Sequence, residues 1–97
     1  TKGIEMFNLS GKTALITGSS QGIGFALARG LAAAGAGIII NGRDIGKLTD
    51  AAERLTDGSA DVHTLAFDAT DHAAARTAID GFEEDRGPID VLVNNAG

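Results

Sequence analysis

The clearest chemistry in the chain lies in Thr17-Gly18-Ser19-Ser20-Gln21-Gly22-Ile23-Gly24. An apolar run, Thr13 to Thr17, precedes it, and an Ala- and Leu-rich stretch, Gly22 to Ala34, follows. A glycine-rich turn between a strand and a helix gathers backbone N–H groups and the positive end of the helix at one point. That arrangement suits a phosphate. The spacing Gly-x-x-x-Gly-x-Gly differs from the Gly-x-Gly-x-x-Gly dinucleotide fingerprint, and no Gly-Lys-Ser/Thr follows to make a Walker loop. The bland alternative is a tight turn whose glycines serve only helix–strand packing. The strand before and the helix after make a nucleotide site the better reading.

The elements that must position this turn can be read along the chain. Thr13–Thr17 does not alternate, as expected of a strand buried on both faces of a parallel sheet. Gly35 is placed to close the first helix in a left-handed cap. Ile38-Ile39-Ile40 is β-branched and reads as a second buried strand. Asp44 to Leu55 carries Ile45, Leu48, Ala52 and Leu55 at helical spacing, with Asp44 as cap. A polar loop, residues 56–61, leads to a third strand, Val62–Phe67. Asp71 to Arg86 reads as a third helix, capped by Thr70 or Asp71, with Ala74, Ala78 and Phe82 on one face. Gly87-Pro88 stops it. Ile89–Val93 reads as a fourth strand and leads into Asn94-Asn95-Ala96-Gly97.

The order βαβαβαβ implies a parallel α/β sheet, the first half of a Rossmann-type doubly wound fold with strand order 3-2-1-4. A fourth strand at the margin would leave an apolar edge unpaired. Residues 1–97 are therefore expected to be the N-terminal, cofactor-binding portion of a longer single-domain enzyme.

Composition narrows the classes. The 97 residues suffice for one small domain, and 43% hydrophobic content is ordinary for a globular protein. Thirteen acidic against eight basic residues, with no Lys/Arg cluster, argue against a nucleic-acid or acidic-membrane partner. The absence of Cys removes disulfides, thiolate catalysis and Cys-type zinc sites. No secretory signal or membrane span is visible, so the expected location is cytoplasmic. His63 and His72 have no ligand-like company, and a packing or surface role is expected for each. Glu83-Glu84-Asp85 reads as a solvated helix face.

The glycine run together with Asn94-Asn95-Ala96-Gly97, each at the end of a strand, resembles the short-chain dehydrogenase/reductase family. The resemblance spans essentially the whole chain but only the cofactor-binding half of a family member. It implies that Gly18 and Gly22 allow close approach of a pyrophosphate and that Gly24 allows close helix–strand packing. Main-chain groups of Ser20, Gln21 and Ile23 would lie along the cofactor. Asp68 and Ala69 would lie against an adenine, and Asn95, Ala96 and Gly97 near the adenine-side ribose. Asn94 would help hold the sheet. For Asp68 the competing reading is turn formation.

In dinucleotide folds an acidic residue about 20 positions past the glycines binds the ribose 2′-OH of NAD. That position here is Gly42, and Arg43 follows it. A glycine leaves room for a 2′-phosphate and an arginine can fork onto it, so NADP is the expected cofactor. The competing reading of Arg43 is a solvated turn residue. Relatives that prefer NADP often carry a second basic residue within the glycine loop, a place held here by Gln21.

The resemblance further implies a Tyr general acid/base, a Lys four residues later, a Ser and an Asn. The chain has no Tyr, and Lys2, Lys12 and Lys47 are not near a plausible substrate pocket. No catalytic residue and no metal ligand is assigned. The expected activity is interconversion of a hydroxyl and a ketone on a small molecule by a homo-oligomer, a tetramer by resemblance. Phe7–Lys12, Ile40–Arg43 and Gly87–Asp90 are similar to members that interconvert gluconate and 5-ketogluconate. The runner-up is a 3-oxoacyl-carrier-protein reductase. A non-catalytic dinucleotide-binding module and a flavin-type nucleotide protein stand as readings of another class.

Overall fold

A computed structural model describes residues 9–56 and 61–96. Four strands alternate with three helices: β1 (Thr13–Ile16), α1 (Gly22–Ala33), β2 (Gly37–Gly42), α2 (Ile45–Thr56), β3 (Val62–Ala66), α3 (His72–Arg86) and β4 (Val91–Val93). All pairings are parallel and the sheet order is β3-β2-β1-β4. The expected α/β, Rossmann-type architecture is what the chain forms.

The two faces of the sheet divide the core. Ala14, Ile16, Ile38 and Ile40 face α1 and α2, where they meet Phe25, Ala28, Leu48, Ala51 and Leu55. Leu15 and Ile39 point the other way and meet Ala75, Ala78, Ile79 and Phe82 of α3. Ile38, Ile39 and Ile40 are fully buried, each stabilising the fold by about 1.5–3 kcal/mol. This two-sided burial explains why β1 and β2 do not alternate. β3 and β4 stand at the two edges of this sheet, and the burial of each is only partial.

Several boundaries and faces differ from expectation. β2 runs three residues longer at its ends than its isoleucines suggested, because Gly37, Asn41 and Gly42 also pair. β4 starts at Val91, not Ile89, because the Ile89 amide donates to Glu83 Oε2 at 2.8 Å. Glu83 is thus a half-buried closure of the turn after α3 and not a solvated face. The partly buried stripe of α3 that packs on the sheet includes Ala75 and Ile79 in place of Ala74. Ala74 instead gives its amide to the cap residue Asp71 at 3.1 Å. Ile45, at the start of α2, is 70% exposed. Asp44 caps α2 through the Lys47 amide at 3.1 Å. His63 is a packing residue: its ring stands edge-on to Phe82, and its Nε2 lies 3.0 Å from Asp61 Oδ1. Among the described residues no helix is long and apolar enough to cross a membrane.

Candidate functional site

β1 has β2 on one side, reached through α1, and β4 on the other, reached through α3. Chain connections diverge at this point, and a crevice opens there at the carboxyl ends of the strands. The loops after β1, β2, β3 and β4 all arrive at it. They line a cavity of about 470 Å³ with Gly18, Ser20, Gln21, Asn41, Gly42, Arg43, Asp44, Lys47, Phe67, Asp68, Ala69, Thr70 and Ala96.

The loop after β1 is locked by hydrogen bonds to both neighbouring strands. Thr17 Oγ1 accepts from the amides of Asn95 (2.9 Å) and Ala96 (3.0 Å). Asn95 Nδ2 donates to the Gly18 carbonyl at 3.1 Å. On the other side Ser19 Oγ donates to the Ile16 carbonyl (2.6 Å) and accepts from the Asn41 amide (3.0 Å). Asn41 Oδ1 accepts from Gly18 N at 3.1 Å. Its Nδ2 donates to the carbonyls of Leu65 (3.0 Å) and Phe67 (3.1 Å). One buried side chain thereby ties the turn after β1 to the ends of β2 and β3. Among the described residues no buried side-chain polar atom lacks a partner.

The glycines divide their work. Gly18 has φ 59° and a Cβ on it would press on Ala96 at 3.2 Å, so it serves the close approach of two loops. A Cβ on Gly24 would collide with the Gly18 carbonyl and lie within 2.9 Å of Ser19 Cα, so no side chain fits where α1 crosses the loop. Gly22 has φ 64° and open space where its Cβ would be. It opens α1, whose cap residue Gln21 makes no side-chain cap hydrogen bond, and no acidic residue stands in the first turn. α2 and α3 each receive an Asp carboxylate at that place. The first amides of α1 therefore keep their partial positive charge with no side-chain cap and no nearby carboxylate of the first turn to offset it.

Arg43 and Asp68 meet across the cavity, Nη1 to Oδ2, at 3.7 Å, with 78% and 41% of their side chains exposed. Asp68 Oδ1 accepts from the Thr70 hydroxyl (2.7 Å) and the Thr70 amide (2.9 Å). The turn-forming role of Asp68 is therefore realised. The Thr70 hydroxyl and then the Thr70 amide hold the Asp68 carboxyl below the usual carboxylate range; desolvation opposes them, and the Arg43 guanidinium adds the weakest lowering effect. A carboxyl with a lowered folded pKa contributes stability above its unfolded pKa and loses it as pH falls through the folded one. The 68–70 turn is thus expected to persist at mildly acidic pH and to open only below the ordinary carboxyl range. An NMR titration of the Asp68 side chain checks this. A midpoint in or above the ordinary range, or one unmoved by Thr70→Ala, contradicts it.

Of the residues expected at the site, Gly18, Ser20, Gln21, Arg43, Asp68, Ala69 and Ala96 line the cavity. Gly22 and Ile23 lie beside it at the start of α1, and Gly24 is buried beneath it. Asn95 does not line it, because its amide group is engaged with Gly18. Asn94 Oδ1 accepts from the Thr17 hydroxyl at 3.5 Å, the sheet-holding part expected of it, and Asn95 adds a second tie between β4 and the loop after β1. Gly97 lies outside the described residues. Sequence reasoning missed Thr17, Ser19 and Asn41 as the lock of the loop, and Lys47 as a cavity residue. A lone Asn at the end of a β-branched buried strand was the available signal, since a buried amide must find partners.

The model of the short chain dehydrogenase family matches residues 12–97. The chain belongs to the short-chain dehydrogenase family. Over 93 residues it is 44% identical to a gluconate 5-dehydrogenase of Gluconobacter oxydans, covering 96% of this chain and 36% of that protein. It is 46% identical over 93 residues to a 5-keto-D-gluconate 5-reductase of Escherichia coli, covering 96% of this chain and 37% of that one. A crystal structure of a gluconate 5-dehydrogenase from Burkholderia cenocepacia, in complex with NADP and tartrate, superposes with a TM-score of 0.90 at 50% identity. That match covers 98% of this chain and 37% of the other. The chain therefore spans little more than a third of the length of these short-chain dehydrogenases, and the part it spans is the sheet and loops described above.

Proposed function

We propose that residues 1–97 form the cofactor cradle of an NADP-dependent oxidoreductase that interconverts a hydroxyl and a ketone on a small sugar acid, with gluconate and 5-ketogluconate as the first pair to test. The observation that carries this reading is the turn at Gly18–Gly24. It presents the uncapped amides of α1 beside a cavity built by the ends of all four strands.

The residues present fit a dinucleotide. Open space at Gly22, and α1 amides with no capping carboxylate, accept a pyrophosphate. Main-chain groups of Ser20, Gln21 and Ile23 lie along it. Asp68 and Ala69 border the place for the adenine, and Ala96 the adjoining ribose. Gly42 leaves space for a 2′-phosphate, and Arg43 supplies its charge. When bound, the nicotinamide cofactor supplies or removes hydride. This chain orients the cofactor by its phosphates and adenosine. It holds no Tyr, and in this proposal the proton that accompanies the hydride is handled by residues of the full-length protein outside 1–97. A cytoplasmic homo-oligomer acting without nucleic acid or membrane belongs to the same reading.

A second substrate class also has support. The chain is 41% identical over 91 residues to a rhamnolipid-biosynthesis 3-oxoacyl-carrier-protein reductase of Pseudomonas aeruginosa. NADPH oxidation by the full-length protein with 5-ketogluconate and with a β-ketoacyl thioester separates the two. Turnover of the thioester alone overturns the sugar-acid assignment. Arg43→Ala in the full-length protein is expected to raise the KM for NADPH by roughly 10- to 100-fold, the loss of one charged contact to phosphate. The KM for NADH should change little. Equal effects on the two cofactors overturn the NADP assignment.

A further inference from the structure

Four charged residues line the cavity at the ends of β2 and β3: Arg43, Asp44, Lys47 and Asp68. Their neighbours distinguish them. Arg43 faces the Asp68 carboxylate at 3.7 Å, so its charge is already partly met. Asp44 is occupied as the cap of α2, its Oδ1 taking the Lys47 amide. Lys47 has no carboxylate within ion-pair distance among the described residues. It is the third residue of α2, and helical side chains lean toward the N-terminus of their helix. Its stem therefore leans back over the turn that carries Gly42 and Arg43. Gly42 lines the same cavity with bare backbone beside Ser20, to whose Oγ a Cβ would lie 3.3 Å.

We infer that Lys47 is the second cation of the 2′-phosphate site, a specificity-determining residue that acts with Arg43 in the cavity they line together with Gly42. The inference rests on the NADP reading and deepens it. The glycine loop holds Gln21 where a basic residue would serve, and the missing charge arrives instead from the first turn of α2. An ammonium is a compact point charge on a flexible stem, and it needs no fixed fork to meet a phosphate oxygen. Arg43 must share itself with Asp68, whereas Lys47 is spared that competition. Asp44 is the opposing charge nearby, and its engagement as a helix cap limits how far it cancels the ammonium.

The test uses the full-length protein and two probes that differ only in one group, adenosine 2′,5′-bisphosphate and adenosine 5′-monophosphate, with binding measured by calorimetry. Lys47→Gln is expected to weaken the bisphosphate roughly five- to tenfold, an exposed charged contact. The monophosphate should stay within about twofold, since no interaction with it is lost. The salt dependence of bisphosphate binding should become shallower, and Lys47→Arg should restore most of the affinity. A structural role for Lys47 would weaken both probes alike, and that result overturns the inference. So does unchanged bisphosphate binding in Lys47→Gln while Arg43→Ala loses its preference, an outcome that leaves the NADP reading standing. A wild-type protein that binds both probes equally overturns the NADP reading itself, and Lys47 with it.

Discussion

Replacing Asn41 with aspartate is expected to destabilise the full-length protein by roughly 3 kcal/mol at neutral pH, although the two side chains have nearly the same shape. Asn41 is 1% exposed and uses both ends of its amide. Its oxygen accepts from Gly18 N, and an aspartate oxygen can do the same. Its nitrogen donates to the carbonyls of Leu65 and Phe67. A carboxylate oxygen there faces two carbonyl oxygens, loses two hydrogen bonds and carries a buried charge. The protonated acid can still donate to one of them. The folded-state pKa of the introduced carboxyl is therefore raised, and its favourable contribution is present at low pH and lost as pH rises through that value. Urea unfolding at acidic and neutral pH should show the variant closer to wild type in acid. Asn41→Leu, which cannot ionise, should be destabilised with no such pH dependence. An Asn41→Asp protein as stable as wild type at neutral pH contradicts the role assigned to this side chain.

Asn41 also marks the limit of what the chain discloses when read alone. The order of strands and helices is legible because each rests on local patterns: unbroken β-branched runs for buried strands, helical spacing of Leu and Ala, and Asp before helix starts. The glycine turn, Arg43, Asp68 and Ala96 are legible for the same reason, since each sits at the end of a recognisable strand. The lock formed by Thr17, Ser19, Asn41 and Asn95 is not local. It depends on the register that sets Asn41 beside Leu65 and Ile16 beside both Ile40 and Val93, which no spacing along the chain encodes. The shift of the α3 stripe from Ala74 to Ala75 and Ile79 has the same origin, because the angle of the helix on the sheet chooses among adjacent alanines. Lys47 escaped notice because an exposed lysine early in an amphipathic helix looks like any solvated position. Its meaning comes from the cavity that the β2 and β3 ends create beside it.

Gly42→Asp should reverse the cofactor preference. Gly42 does not adopt a left-handed backbone, so a side chain brings no backbone strain. Its Cβ would lie 3.3 Å from Ser20 Oγ and 3.6 Å from Leu48 Cδ2. The serine hydroxyl can rotate by the few tenths of an ångström needed, and the fold should tolerate the change. The new carboxylate then enters the space proposed for the 2′-phosphate. It repels that phosphate, and it also competes with Asp68 for Arg43. With a free ribose the same carboxylate accepts from the 2′-hydroxyl. Loss of the phosphate site and gain of the hydroxyl contact act in the same direction. The ratio of kcat/KM for NADPH over NADH is expected to fall by about a hundredfold or more, equivalent to about 3 kcal/mol. The KM values should carry most of the change, because the substituted atom lies at the adenosine end, far along the cofactor from the hydride. Thermal unfolding without cofactor should be nearly unchanged, which separates a change of specificity from damage to the sheet. A variant that still prefers NADPH with its stability intact would mean that the 2′-phosphate does not sit over Gly42. The pocket bounded by Arg43, Lys47 and Ser20 would then need another occupant.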